Sequence, residues 1–280
     1  MLSYQHIYHA GNFADVHKHA ILLDVIGYLQ KKNSPITFYD THGGRGWYQF
    51  DSPEAQKTRE FEAGILTLQK TSASLPDPVA HYLDKVEQIT ESDPNCYPGS
   101  PLLIADAMRE QDYFHTSDAH PGEIKHLEQL LYGLPHISVH QRDGYEMLRG
   151  LFPPKTPRAV VIIDPAYEEK PEYQWVAKAV RQTLKIWQKA VILIWYPLLP
   201  ANNHMRMIDQ LRRDGIDHIL RNEIVLRPPE GDRGMYGSGM LVVNPPYQLA
   251  KDGAQWTTAL AKALNPKATS THQYYSSDPV

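Results

Sequence analysis

The segment VVIIDPAY (Val160–Tyr167) runs four apolar residues straight into an acid, a proline and an aromatic. A run of that length suits one buried strand, and proline cannot extend it, so Asp164 is expected at the strand's carboxyl tip. A second segment, LVVNPPY (Leu241–Tyr247), repeats the pattern. One of the two is expected to hold a substrate and the other to be a turn. The direction of each strand in the sheet decides which.

Working outward, further apolar and β-branched runs end in a polar or acidic residue: Ile36–Asp40, Tyr113–Asp118, Ile137–Asp143 and Ala190–Tyr196. Helical spacing occupies the intervals at Gly122–Tyr132, Glu172–Gln188 and His204–Arg213. Alternation of this kind implies a mostly parallel sheet with helical crossovers, an α/β chain. Towards the end, His218–Leu226 and Gly239–Asn244 flank RPPEGDRGMYGS with no helix between, which predicts an antiparallel hairpin at the sheet edge. Residues 50–96 read as a small helical insertion, with helices over Glu54–Gln69 and Pro78–Thr90; residues 1–49 and 97–280 form the main domain. Ser100-Pro101 then reads as the N-cap and first-turn proline of the next helix. Before the first strand, Asp15–Lys31 is expected to be amphipathic, with Val16, Leu23 and Ile26 inward. The tail from Lys267 reads as loose.

The 280 residues fit one large domain with an insertion. No apolar run reaches the roughly 20 residues of a membrane helix, and the start lacks a signal-peptide pattern. The single cysteine, Cys96, permits no internal disulfide, which fits a cytoplasmic protein. A net charge of −4 excludes a coat of positive charge but leaves room for a local basic face that meets nucleic acid.

In open α/β sheets, ligands bind outside the carboxyl ends of the strands. Asp40, Asp118, Asp143 and Asp164 are all expected there. Aspartate often caps the following helix, but four clustered carboxylates repel one another unless they face donors or a cation. After the first strand, DTHGGRG (Asp40–Gly46) permits a tight turn and close ligand approach, without the spacing of a dinucleotide fingerprint or a P-loop. Asp118 would suit ribose hydroxyls, and Asp143-Gly144 an adenine amino group. Together they suit an adenosine-bearing ligand with no pyrophosphate; S-adenosylmethionine is such a ligand.

DPAY resembles the [D/N/S]-P-P-[Y/F/W] motif of amino-group methyltransferases. An exocyclic adenine amine is a poor nucleophile because its lone pair is delocalised. A carboxylate and a backbone carbonyl, each accepting from the NH₂, favour the tetrahedral nitrogen that can attack. Pro165 stiffens that turn, and Tyr167 is expected to stack on the base. Ala166 departs from the motif. NPPY matches it letter for letter, but follows a strand expected to point to the other end of the sheet, so Asp164 is the expected catalytic residue.

Across essentially the whole chain the sequence is similar to the bacterial 23S ribosomal RNA adenine-N6 methyltransferases. The marks are MLSYQHIYHAGNFADVHKH at residues 1–19, the DTHGGRGWY block, YPGSP, His120-Pro121, Asp143-Gly144 and GSGMLVVNPP. The resemblance implies a class I methyltransferase (Rossmann-like) fold with a helical insertion. It implies S-adenosylmethionine at His19, His42, Ser100, Asp118, Asp143 and Gly144, catalysis by Asp164, and Tyr4 and Lys18 near the target adenine and its phosphate. Asp118 stands where the family carries glutamate. The implied partner is 23S ribosomal RNA, with no membrane, metal or obligate protein partner. A DNA adenine methyltransferase and a catalytically weak RNA-binding relative are the rival readings.

His6, His9, His17 and His19 crowd the start, but His17 and His19, two apart, face different sides of a helix and do not suggest a metal site. Trp175, Trp187 and Trp195 read as core. Lys170, Arg227 and Arg233 are candidate RNA contacts in loops.

Overall fold

The computed structural model describes residues 4–71, 74–229, 231 and 234–276. Five parallel strands carry its centre: β1 (Ile36–Asp40), β4 (Tyr113–Asp118), β5 (Ile137–Gln141), β6 (Arg158–Ile163) and β7 (Val191–Leu198). Every residue of β1 is buried, and so is every residue of β6 after Arg158. Strands covered on both faces read as continuous apolar runs, which is why the sequence shows them so plainly. Helices α5 (Ser100–Ala107), α6 (Pro121–Leu130), α7 (Gly144–Leu151), α8 (Glu172–Ile186) and α9 (Asn203–Arg213) fill the connections.

The other half of the sheet is antiparallel. β9 (Gly237–Val243) runs against both β7 and β8 (Ile219–Val225), and β10 (Thr269–Tyr275) runs against β8. The full order is β10-β8-β9-β7-β6-β1-β4-β5. The fold is that of the class I methyltransferases, with a mostly parallel sheet ended by antiparallel strands. Two expectations fail here. The β8–β9 hairpin is interior, because the tail expected to be loose supplies β10 as the edge. β10 alternates in burial, and its β-branched and aromatic residues suit a half-covered strand. The long helix α10 (Tyr247–Leu264) packs beside it, burying Leu249, Trp256, Leu260 and Leu264.

A short ladder of β2 (Trp47–Gln49) with β3 (Cys96–Pro98) brackets helices α2 (Pro53–Thr58), α3 (Ile65–Gln69) and α4 (Asp77–Ile89). The single helix expected over Glu54–Gln69 is broken. Arg59 turns left-handed at φ 52°, and a Cβ at Gly64 would stand 2.1 Å from the Gly11 carbonyl oxygen. That close approach docks the segment against the chain leading into α1 (Phe13–Gln30).

α1 is also not amphipathic in the expected sense. It packs on α4, α5, α10 and β9, so Asp15, His17, Lys18 and His19 are buried along with Val16, Leu23 and Ile26. Buried polar groups need partners. His17 finds the Ser238 hydroxyl at 3.0 Å and Asn222 Oδ1 at 2.9 Å, and Asn222 Nδ2 donates onward to Thr257 and meets His272 of β10. Burial lowers the His17 pKa to about 4. The unfolded chain therefore takes up a proton below about pH 6.5 that the folded one refuses. Stability contributed by neutral His17 is complete above that pH and lost as pH falls towards 4, by up to about 1.4 kcal/mol per unit. His17→Gln is expected to flatten the fall in urea stability between pH 7 and pH 5. An unchanged slope would show that His17 titrates normally.

Among the described residues no helix is long and apolar enough to cross a membrane.

Candidate active site

The sheet's switch point lies at β1, from which the chain leads outward to β4 and β5 and then back past β1 to β6. The carboxyl ends of these strands open on a cavity of about 260 Å³. His19, His42, Ser100, Asp118, Asp143, Gly144, Tyr4, Lys18 and Asp164 all line it. A second cavity of about 300 Å³ adjoins it and shares Tyr4, His6, Lys18, Asp164 and Ala166. Asp164 stands where the two meet.

The glycine loop is shaped by hydrogen bonds to these acids. Gly44 N–H donates to Asp118 Oδ2 at 2.9 Å, and His120 N–H to Asp118 Oδ1 at 2.7 Å. Burial raises the Asp118 pKa against those two donors. At Gly144, a Cβ would fall 2.1 Å from the Thr41 carbonyl oxygen, so only glycine lets α7 begin against the end of β1. Asp143 caps that helix, accepting from Glu146 N–H at 2.8 Å. The Ser100 hydroxyl, expected to cap α5, instead donates to Asp40 Oδ2 at 2.7 Å; Gly99 holds the cap position. Burial pushes the Asp40 carboxyl up to about 7 despite that donor and the His42 N–H.

His19 Nδ1 meets the Tyr97 hydroxyl at 2.7 Å, while its Nε2 is buried without a partner. Burial lowers its pKa well below the ordinary value. His42 is likewise lowered by burial, and its ring stands edge-on to Tyr145. The four early histidines turn to separate partners: His6 to Asp15, His9 to Glu60, His17 to Ser238 and Asn222, and His19 to Tyr97.

Lys18 differs from the expected phosphate contact. Its ammonium is buried between Asp15, at 2.8 Å, and Asp164. Burial lowers the lysine pKa, but the two carboxylates outweigh it and the net shift is upward. Burial would raise the Asp15 pKa, yet His6 and Lys18 hold it well below the usual carboxylate range. His6 also meets the Tyr4 hydroxyl at 2.9 Å, so one polar chain runs Tyr4–His6–Asp15–Lys18–Asp164.

Pro165 is buried, and Ala166 reaches both cavities. Tyr167, expected to stack on a base, is turned by φ 53° and only 8% exposed. Its ring packs on Tyr173 with centroids 4.4 Å apart, and its hydroxyl donates to the Trp195 carbonyl at 2.7 Å. It therefore walls the second cavity rather than presenting a free face. Trp175, read as core, is 44% exposed at the mouth of the first cavity. Lys170 and Arg227 are exposed; Arg233 lies outside the described residues.

NPPY is elsewhere. Asn244 follows β9, antiparallel to β7, and so lies at the opposite end of the sheet. Its amide donates to the carbonyls of Gln188 and Ala190, both at 2.8 Å.

Residues 33–275 match the family described as ribosomal RNA large subunit methyltransferase D, RlmJ. The chain belongs to the RlmJ family. It is similar to ribosomal RNA large subunit methyltransferase J of Haemophilus influenzae, 35% identical over 271 residues with 96% of each chain covered. To the protein of that name from Escherichia coli it is 36% identical over 250 residues, covering 89% of each. A crystal structure from Legionella pneumophila superposes with TM-score 0.88 at 30% identity, covering 96% of this chain and 99% of that one. This RlmJ-family chain is a methyltransferase.

Several residues in and beside this RlmJ-family site escape the motif reading: Asp15, Tyr145 and Glu172. Glu172 lines the first cavity with a carboxyl pushed up to about 7 by burial. Its signal is only an acid at a helix start. His6 was visible only as one of a group of histidines; its link to Tyr4 and Asp15 appears in three dimensions. Because Asn244 serves β7 and not the cavities, Asn244→Ala should cost about 1–3 kcal/mol in urea unfolding and leave methylation of ribosomal RNA at the wild-type rate. A collapse of turnover in a folded variant would move the reaction to the NPPY end.

Proposed function

We propose that this enzyme transfers a methyl group from S-adenosylmethionine to the N6 amine of an adenine in 23S ribosomal RNA. The observation that supports this best is Asp164 at the junction of two cavities; on this reading the first would take the cofactor and the second the target base.

The first cavity suits that cofactor. Seven carboxylates line it against the single ammonium of Lys18, an environment that favours a ligand bearing a sulfonium and an ammonium. His19 Nε2 supplies a buried polar atom in want of a partner. Asp118 has one N–H on each oxygen, which leaves lone pairs for ribose hydroxyls. Asp143 and Gly144 would meet the adenine end, and Ser100 and His42 the middle. S-adenosylmethionine supplies an activated methyl there.

This chain's residues do the rest by placement. Asp164 accepts one N–H of the target amine and the Pro165 carbonyl the other, which draws the nitrogen towards tetrahedral geometry. Lys18 fixes the Asp164 carboxylate and offsets its charge, so Asp164 acts as an acceptor rather than as a strong base. The nitrogen would gain a bond to the methyl carbon as that carbon's bond to sulfur breaks, leaving the electron pair on the thioether, and would then lose one proton to water once the positive charge has formed on it. Orientation and fixed charge carry most of the acceleration. The adenine must be unpaired or flipped to enter.

The test is incubation with unmodified 23S RNA, a matched DNA strand and labelled S-adenosylmethionine, followed by nuclease digestion. Label is expected in N6-methyladenosine from the RNA alone. Label on a ribose or a cytosine, or a preference for the DNA strand, would overturn the reading.

A further inference from the structure

A third cavity, about 380 Å³, lies between the start of α8 and the exposed side of α9. Its charged lining residues are Lys170, Arg206 and Arg213; no carboxylate lines it, and Gln174, Asn203 and Gln210 add polar side chains. The three cations are exposed. Arg213 donates only to Gln210, at 3.4 Å, among its described partners. The neighbouring cations are engaged instead: Arg181 with Asp214, and Arg212 over the Tyr275 ring.

This groove is one side chain away from the reaction. Met207 lines it, Tyr167 lines the cavity beside Asp164, and the Tyr167 hydroxyl lies 4.0 Å from the Met207 sulfur. The two sides of the loop have opposite sign. Glu168, Glu169 and Glu172 face the cofactor cavity, while Lys170 begins the basic groove. On a chain of net charge −4 a polyanion is not drawn in everywhere. It is repelled from the acidic mouth and attracted to these clustered cations beside the loop. Arginine forks match phosphate geometry, and contacts of this kind fix register without reading sequence.

We infer that this groove holds the phosphodiester backbone of the substrate RNA next to the target adenine, with Arg206 and Arg213 on phosphates and Lys170 at the rim. The inference rests on the ribosomal RNA reading and extends it to the path of the strand.

The test compares the wild-type enzyme with R206Q/R213Q, R206K/R213K, K170Q and a control of equal charge loss, K189Q/K251Q. Lys189 and Lys251 are exposed and lie at the opposite end of the sheet, beside the start of β7 and in the first turns of α10. The substrate is unmodified 23S RNA transcribed in vitro. R206Q/R213Q is expected to raise KM for RNA about tenfold with kcat within about twofold. The plot of log affinity against log salt should become shallower by about 1.4, the loss of two single-strand phosphate contacts. Binding of S-adenosylhomocysteine should not change. The lysine pair should restore most of the affinity, because charge is kept, and K170Q should lower the slope by about 0.7. An unchanged KM and slope, an equal effect in the control, or failure of the lysine pair to restore binding would each overturn the inference. If the glutamine pair does not fold, the lysine pair and K170Q decide it by the same criteria. A wild-type enzyme that methylates DNA in place of RNA defeats the earlier reading; one that methylates RNA with unaltered groove variants defeats only this one.

Discussion

Asp164→Ala is expected to lower kcat for RNA methylation at least about 100-fold, while S-adenosylhomocysteine binds within about twofold of wild type. The carboxylate stands between the two cavities and is held by Lys18, and on the proposed function its oxygens would accept from an amine in the second cavity. Loss of the group removes an acceptor that matters most as the nitrogen changes shape, which lowers kcat more than it raises KM. Asp164→Asn keeps the shape and one acceptor oxygen, and is expected to fall in between. Rapid-quench measurement of one turnover, together with calorimetry of cofactor binding, checks both variants. Full turnover in the alanine variant would remove Asp164 from the chemistry.

Lys18→Met is expected to cost about 3–5 kcal/mol, because it leaves the buried Asp15 and the half-buried Asp164 without their shared cation. For a chain of this size that is a fall in Tm of roughly 6–20 °C. The pH dependence has a definite sign. Without the ammonium, part of what holds Asp15 down is lost, while His6 remains, so the folded pKa of Asp15 is less depressed. The wild type loses the stability contributed by ionised Asp15 as pH falls below the ordinary carboxylate range and the variant loses less of it, so the deficit against wild type shrinks from about pH 7 to about pH 3. Urea titrations at both pH values measure this. A Tm within about 2 °C of wild type would mean that the triad carries no stability.

Much of the site was legible because parallel strands carry both signals at once. Runs such as ITFYD and VVIID announce a buried strand, and the acid at the end announces what the strand presents. The same reasoning separated DPAY from NPPY, since an antiparallel β9 must end away from the cavities. The failures have physical causes. Periodicity shows one apolar stripe, but α1 is covered from several sides, and its polar residues are balanced by partners as distant in sequence as Asn222 and Ser238. Tyr167 was assigned by motif, whereas its left-handed turn sends the ring against Tyr173. Residues 269–275 carry strand propensity, but polar, alternating edge strands are hard to tell from tails until the strand they pair with is known. Trp175 shows that a large apolar side chain near a cleft need not be core.

The bond between Lys18 and Asp164 joins positions 146 residues apart, one on a helix and one at a strand tip. The helix that supplies the cation is made early in translation and its anion more than halfway through. A growing chain therefore carries a lysine without its counter-charge until β6 has emerged and paired with β1, and long-range closures of that kind are slow. The junction of the two cavities is therefore closed only after more than half of the chain has been made.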